Sequence, residues 1–209
     1  MARSKSSNNW LREHFDDHWV KKAMDNGYRA RSAFKLEELH EKDGLLTNVR
    51  NIVDLGCAPG GWCQVAKKLV KDDVRVIGLD LLPIEPIEGV DFIQGDFREQ
   101  SVLNELLNMI NSDKIDLVLS DIAPNLSGVF AVDQPRIMYL AELALDFCHQ
   151  CLKQNGNYAV KLFQGEGFDQ YIKQLRSSFK KVVMRKPKAS RPRSREVYAV
   201  AKGFKGKIS

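Results

Sequence analysis

The twelve residues from Asn51 to Trp62, N-I-V-D-L-G-C-A-P-G-G-W, restrict this chain more than any other stretch. Ile52, Val53 and Leu55 read as a short buried strand. Gly56, Pro59, Gly60 and Gly61 make a turn, and Trp62 to Val70 carry a helical pattern. Strand, glycine turn and helix in that order form the nucleotide-binding corner of a doubly wound α/β sheet. The glycines let the backbone come close to a ligand because they lack Cβ. The spacing G-x-x-x-G-G after Asp54 is not the G-x-G-x-x-G of a dinucleotide site, and no lysine follows as in a P-loop. By exclusion, the cofactor is one without phosphates to cradle, and S-adenosylmethionine fits best.

The 209 residues suit one open α/β sheet, with a single domain over 10–209. Residues 1–9 are small, polar and basic and are expected to be disordered. No apolar run approaches the roughly 20 residues that span a bilayer, and the first residues lack the apolar core of a secretory signal. A cytoplasmic, monomeric protein with no membrane partner is expected. The net charge of +5 favours a polyanionic partner. Cys57, Cys63, Cys148 and Cys151 suit a reducing compartment, with Cys148 and Cys151 as buried thiols on one helix face. His14 and His18 could share a helix face, but no third ligand is in view, so no metal is expected.

Helices are expected over Trp10–Met24 and Arg31–Glu41, with Lys21, Lys22, Arg29 and Arg31 around the joint at Gly27. Those cations either form a solvated face or meet phosphates, and the sequence does not choose. Further strands are expected at Arg75–Asp80, Val90–Asp96 and Ile115–Asp121. Each ends in an acid, at the edge where open α/β sheets bind ligands. Asp80 lies where such folds place a carboxylate for ribose hydroxyls. A cap or turn role would explain any one of the three.

A long helix is expected over 134–153, opened by Gln134-Pro135, and then a strand Asn157–Phe163. Lys161 breaks the apolar run of that strand. Burying an ammonium is costly unless it is paired or loses its proton, so Lys161 is a candidate general base. A helix Gly167–Ser178 and a strand Lys181–Met184 precede Arg185–Arg195, in which six of eleven residues are basic. Its prolines and serines make it a loop suited to contacting a nucleic-acid backbone. A last strand, Glu196–Ala201, follows.

Taken together, the chain resembles the FtsJ (RrmJ) family from about Trp10 to Gly203, most closely the bacterial enzymes that methylate large-subunit ribosomal RNA. The likeness rests on D-L-G-C-A-P-G-G-W at 54–62, D-L-L-P-I at 80–84, Q-G-D-F at 94–97 and S-D-I-A-P-N-L-S-G at 120–128. It continues through M-Y-L-A-E-L-A-L at 138–145, V-K-L-F-Q-G-E-G-F-D at 160–169 and S-R-E-V-Y at 194–198. Cys57 stands where relatives often carry alanine, a small change of similar polarity.

The resemblance implies a Rossmann-like methyltransferase fold: a seven-stranded, mostly parallel sheet with the last strand antiparallel and helices on both faces. It also implies methyl transfer from S-adenosylmethionine to the ribose 2′-hydroxyl of a uridine in 23S rRNA of the large ribosomal subunit. The same chemistry on tRNA or another RNA, or a non-catalytic RNA-binding assembly factor, are the competing readings. The family's Lys-Asp-Lys-Glu tetrad falls on Lys35, Asp121, Lys161 and Glu196. Lys161 is then the base, its neutral form favoured by burial and by Lys35 and opposed by Asp121. Asp80 would bind the cofactor ribose, Asp96 the adenine side, and Gly60 with Trp62 the turn beneath it, with Asp121 nearby. Arg31, Arg191 and Arg193 would line the path of the RNA.

Overall fold

The computed structural model describes residues 17–71, 73–111 and 114–206. The proposed tail at 1–9, His14 and most of the first half of the expected helix Trp10–Met24 lie outside these residues. Two helices open the described chain, α1 (His18–Asp25) and α2 (Ala33–Asp43). Asp17 caps α1 by accepting from Trp19 N at 2.9 Å. Then come β1 (Asn51–Leu55), α3 (Gly61–Leu69), β2 (Arg75–Asp80), β3 (Val90–Gln94), α4 (Gln100–Ile110) and β4 (Ile115–Ser120). The chain closes with α5 (Phe130–Cys151), β5 (Leu152–Phe163), α6 (Phe168–Ser178), β6 (Phe179–Arg185) and β7 (Glu196–Phe204).

The seven strands form one sheet in the order β3-β2-β1-β4-β5-β7-β6. Pairing is parallel from β3 across to β5, and β7 runs antiparallel to both β5 and β6. The expected topology, with only the last strand reversed, is the one observed.

Side chains alternate between two cores, as period-two strands require. Val53, Leu55, Ile77, Leu79, Val118, Val160 and Leu162 face α4, α5 and α6. Ile52, Val76, Leu117, Leu119, Ala159, Tyr198 and Val200 face α1, α2 and α3. The parity puts Lys161, between Val160 and Leu162, on the face that α2 covers.

Of the boundaries that differ from expectation, two have clear local reasons. Helix α5 starts at Phe130, so Pro135 lies in its second turn rather than its first. Buried Asp133 anchors that earlier start: its carboxylate accepts from Ser127 N (2.8 Å), Ser127 Oγ (2.9 Å) and Gly128 N (3.0 Å). Strand β5 starts at Leu152 rather than Asn157, because Asn155-Gly156 forms an irregularity within a strand instead of a turn before one. The register against β4 shifts between Ile115 and Leu117, and Asn155 sits at φ 67°.

The strand order reverses between β1 and β4: β2 and β3 lie to one side of β1 and β4 to the other. Ligands of open α/β sheets bind outside the carboxyl ends of the strands at such a switch point. Here Asp121 N donates to Leu55 O at 3.1 Å, and the two chain ends diverge. Gly56 has φ +77°, and a Cβ there would lie 2.8 Å from the backbone of Ile122. Only glycine meets both demands.

Candidate active site

A cleft of about 700 Å³ opens at this switch point, a size typical of small-molecule sites. Gly56 and Ala58 come from the turn after β1, Asp80 to Leu82 from the end of β2, and Gly95 to Arg98 from beyond β3. Asp121 to Asn125 follow β4, Arg136, Tyr139 and Leu140 belong to α5, and Lys161 comes from β5.

The three strand-end acids all line the cleft, and each also has a local structural role. Asp80 accepts from Ala58 N through Oδ2 and from Leu82 N through Oδ1, both at 2.8 Å, which fixes the turns on either side. Asp96 accepts from Arg98 N at 3.0 Å and from its guanidinium. That hydrogen-bonded guanidinium holds the Asp96 carboxyl below the usual carboxylate range. The turn role that sequence offers is therefore present, and it leaves both acids at the wall of the cleft.

Gly60 and Trp62, expected beneath the cofactor, do not line the cleft. Gly56 and Ala58 are the residues of that turn that do. Helix α3 begins at Gly61, and its first turn carries the indole of Trp62 into the core under α2. There Nε1 donates to Ser32 O at 2.8 Å and the ring packs on Tyr198, with centroids 5.8 Å apart.

Below the cleft the tetrad residues form one continuous polar chain. Lys161 Nζ lies 3.0 Å from Asp121 Oδ1 and donates to Asp121 O at 2.5 Å. The Tyr198 hydroxyl donates to the same Oδ1 at 2.8 Å and accepts from Lys35 Nζ at 3.0 Å. Lys35 Nζ also lies 2.6 Å from Glu196 Oε1, which accepts from Ser190 Oγ at 2.8 Å. Both lysine side chains are only 9% exposed, and Lys161 is the one that lines the cleft.

Burial alone would raise the Asp121 carboxyl. The charges of Lys161 and Lys35, with the hydrogen bonds from Lys161 and Tyr198, more than offset it, and the group falls below its ordinary value. Burial pushes the Tyr198 phenol far up, and Asp121 and Glu196 add to that, so it stays a neutral donor.

Tyr198 is the link that sequence reasoning missed. Its signal was available: it stands two residues after Glu196, on the same face of β7, and pairs directly with Lys161 across the antiparallel ladder.

A second buried acid, Asp54, faces the α2–α3 side of β1. Its Oδ2 accepts from Cys63 Sγ at 3.3 Å, and its Oδ1 has no hydrogen-bond partner. Burial raises its carboxyl to about 7, opposed by the Cys63 thiol and reinforced by the charges of Asp121 and Asp80.

The cations expected to meet RNA have mixed surroundings. Arg31 is pinned inside, its guanidinium engaging Ala189 O and the Asp17 carboxylate. Arg29 donates to the carbonyls of Glu85 (2.5 Å) and Pro86 (2.9 Å). Lys22 lies over the rings of Trp19 and Phe34. Arg191 is half-buried and Arg193 exposed, on the basic loop. That loop is held against α2 and the tetrad by Lys188 N donating to Glu38 (2.7 Å), by Arg31 and by Ser190.

The donor set fits S-adenosylmethionine. Two carboxylates offer acceptors to ribose hydroxyls and an ammonium. Leu81, Leu82, Phe97, Ile122 and Pro124 give apolar walls for a purine. Among the described residues, no three potential metal ligands come together and no helix is long and apolar enough to cross a membrane. All four cysteines are free and buried, Cys148 and Cys151 within α5.

Comparison with known proteins agrees with this geometry. The family model for FtsJ-like methyltransferases matches residues 28–204. A solved structure from Plasmodium falciparum, provisionally designated a ribosomal RNA methyltransferase, superposes with a TM-score of 0.75 at 34% identity. The match covers 86% of this chain and all of that one. The chain belongs to the FtsJ-like methyltransferase family.

Proposed function

We propose that this chain uses S-adenosylmethionine to methylate the ribose 2′-hydroxyl of a uridine in 23S ribosomal RNA, within the large ribosomal subunit, as a cytoplasmic monomer. The observation that carries this reading is the Lys161 amine, held by Asp121 at the edge of a cleft shaped for a nucleoside. The family, the relative designated a ribosomal RNA methyltransferase and the basic loop beside the tetrad point to RNA as the acceptor.

When bound, S-adenosylmethionine supplies a methyl group on a sulfonium, already activated for displacement. Asp80 and Asp96 would hold its hydroxyl-bearing and adenine ends, with Gly56 and Ala58 against it and Asp121 nearby. The protein's own task is to orient a ribose hydroxyl and take its proton. A base in that position contributes about a hundred- to ten-thousandfold. To act as the base, Lys161, an ammonium in its resting ion pair with Asp121, first releases a proton to water; its free amine then accepts the ribose proton and the ammonium is restored. Asp121, through its side chain and its carbonyl, stabilises that ammonium. Tyr198, Lys35 and Glu196 hold Asp121 in place from behind. Arg191 and Arg193 would meet the RNA backbone, and Arg31 would position their loop.

The test is methyl transfer from labelled cofactor to ribosomal RNA, assembled large subunits and tRNA, side by side. The expected product is one nucleotide of large-subunit RNA that resists alkaline cleavage. Label appearing only in tRNA, or on a base rather than a ribose, would overturn the assignment. Affinity for RNA should fall with salt, with a slope of roughly 0.7 to 0.9 per phosphate contacted.

A further inference from the structure

The surface beside the tetrad carries an aromatic ring where an apolar core residue would not be needed. Phe130, the first residue of α5, is 44% exposed, and Leu126, Val129 and Val132 around it are 54%, 56% and 41% exposed. Its ring is seated on bare backbone: a Cβ on Gly165 would lie 2.4 Å from Phe130 Cζ. Gln134 fixes the loop that carries Gly165 by donating to Phe163 O (3.1 Å) and Glu166 O (2.9 Å). The Arg195 guanidinium lies 4.6 Å from the centroid of the Phe130 ring.

Both residues are anchored to the strands of the tetrad. Arg195 directly precedes Glu196, and its carbonyl accepts from Gln164 N at 3.2 Å. Gly165 is four residues beyond Lys161, so their Cα atoms are at most about 14 Å apart. The pair therefore sits within reach of a nucleotide next to one held at Lys161.

We propose that Phe130 and Arg195 form a stacking platform for an unpaired RNA base flanking the methylated nucleotide. The inference rests on RNA as the acceptor. A guanidinium lying over an aromatic ring suits a base, because bases stack on guanidinium planes and on aromatic faces alike and the ring supports the cation from beneath. The positive charge, and the six basic residues between 185 and 195, favour a polyanion over an apolar protein partner.

The probes are a short oligouridine and the same strand with abasic riboses, with binding followed by fluorescence anisotropy. F130A and R195A should weaken oligouridine binding roughly five- to a hundredfold. F130Y should restore it and F130L should not. On the abasic strand F130A, F130L and wild type should bind alike. Full binding by F130L, or an equal loss on the abasic strand, would show that the ring only packs and would overturn the proposal. Calorimetric binding of S-adenosylhomocysteine should be unchanged in every variant, which establishes that they are folded. If wild type stacks uridines through Phe130 yet methylates no ribose, the reaction reading fails and the platform stands. If F130A methylates and binds like wild type, the platform alone fails.

Discussion

Asp54 and Asp121 occupy neighbouring strand ends at the switch point, and burial acts on both in the same direction. Asp54 is 1% exposed on β1, and Asp121 lies one residue past the end of β4 with its side chain 18% exposed. Their charges nevertheless diverge. Asp121 meets the Lys161 ammonium and the Tyr198 phenol and feels the charge of Lys35 behind them, and its carboxyl falls below the ordinary range. Asp54 meets one thiol, leaves an oxygen unpaired, and rises to about 7. Partners, not depth, decide which buried acid keeps its charge. Those partners come from α2, β5 and β7, the parts of the chain on the proposed acceptor side of the site. On the other side is the open cleft, where Asp80 accepts from two backbone amides and Asp96 from the amide and guanidinium of Arg98. The two halves should therefore fail separately.

The sharpest attempt to break that separation is Lys161→Ala. It removes the proposed base and the one cation in contact with Asp121. Methyl transfer should fall about a hundred- to ten-thousandfold, while S-adenosylhomocysteine binding stays close to wild type by calorimetry. Near-normal turnover would sink the base assignment. Lost cofactor binding would show that the halves are not independent.

Asp54→Asn probes the other acid through pH. With a folded value near 7 against about 3.8 for the free group, the native state holds a proton that the unfolded chain releases between those limits. This raised value stabilises fully below about 3.8, and the benefit is lost as pH rises through 7. A shift of about three units corresponds to about 4 kcal/mol, as an order of magnitude. The unfolding free energy of wild type should therefore decline relative to the Asn variant from pH 4 to pH 8, as read by urea denaturation. Parallel curves would show that Asp54 is ionised throughout. Asp121, shifted the other way, contributes above about 3.8 and loses its contribution only in more acid solution, so the two groups act in different windows.

The local patterns that sequence carries were enough to reach much of this. The glycine turn after β1, the strand-end acids and the ammonium in β5 are short-range signals, and the sheet and its cleft follow from them. Contacts across the sheet were less legible. Trp62 sits beside the glycine turn in sequence, yet the first turn of α3 carries its side chain into the core. Pro135 read as the opening of a helix because its favoured place is the first turn. What sets the true start is Asp133 reaching back to Ser127 and Gly128, a contact that composition does not reveal. Asn155-Gly156 read as a turn, and pairing with β4 turned it into an irregularity inside a strand. Tyr198 had no role of its own in the sequence until the antiparallel register set it opposite Lys161.

That hydroxyl gives the smallest predicted effect and the most direct test of how the tetrad is wired. Tyr198→Phe keeps the ring against Trp62 and removes only the oxygen joining Lys35 to Asp121. Lys35 retains Glu196 and Asp121 retains Lys161, so no charge is stranded. The cost in stability should be about 1 kcal/mol, as for one hydrogen bond. If Asp121 positions Lys161 only when held from both sides, kcat should fall several-fold while the KM for cofactor stays constant. Combining Tyr198→Phe with Lys35→Met then decides between a relay and two separate supports. In a relay, the double variant loses little more than Lys35→Met alone, because the link is already broken. With separate supports the two losses multiply, and Tyr198 would serve the packing of the α2 face rather than the chain leading to Lys161.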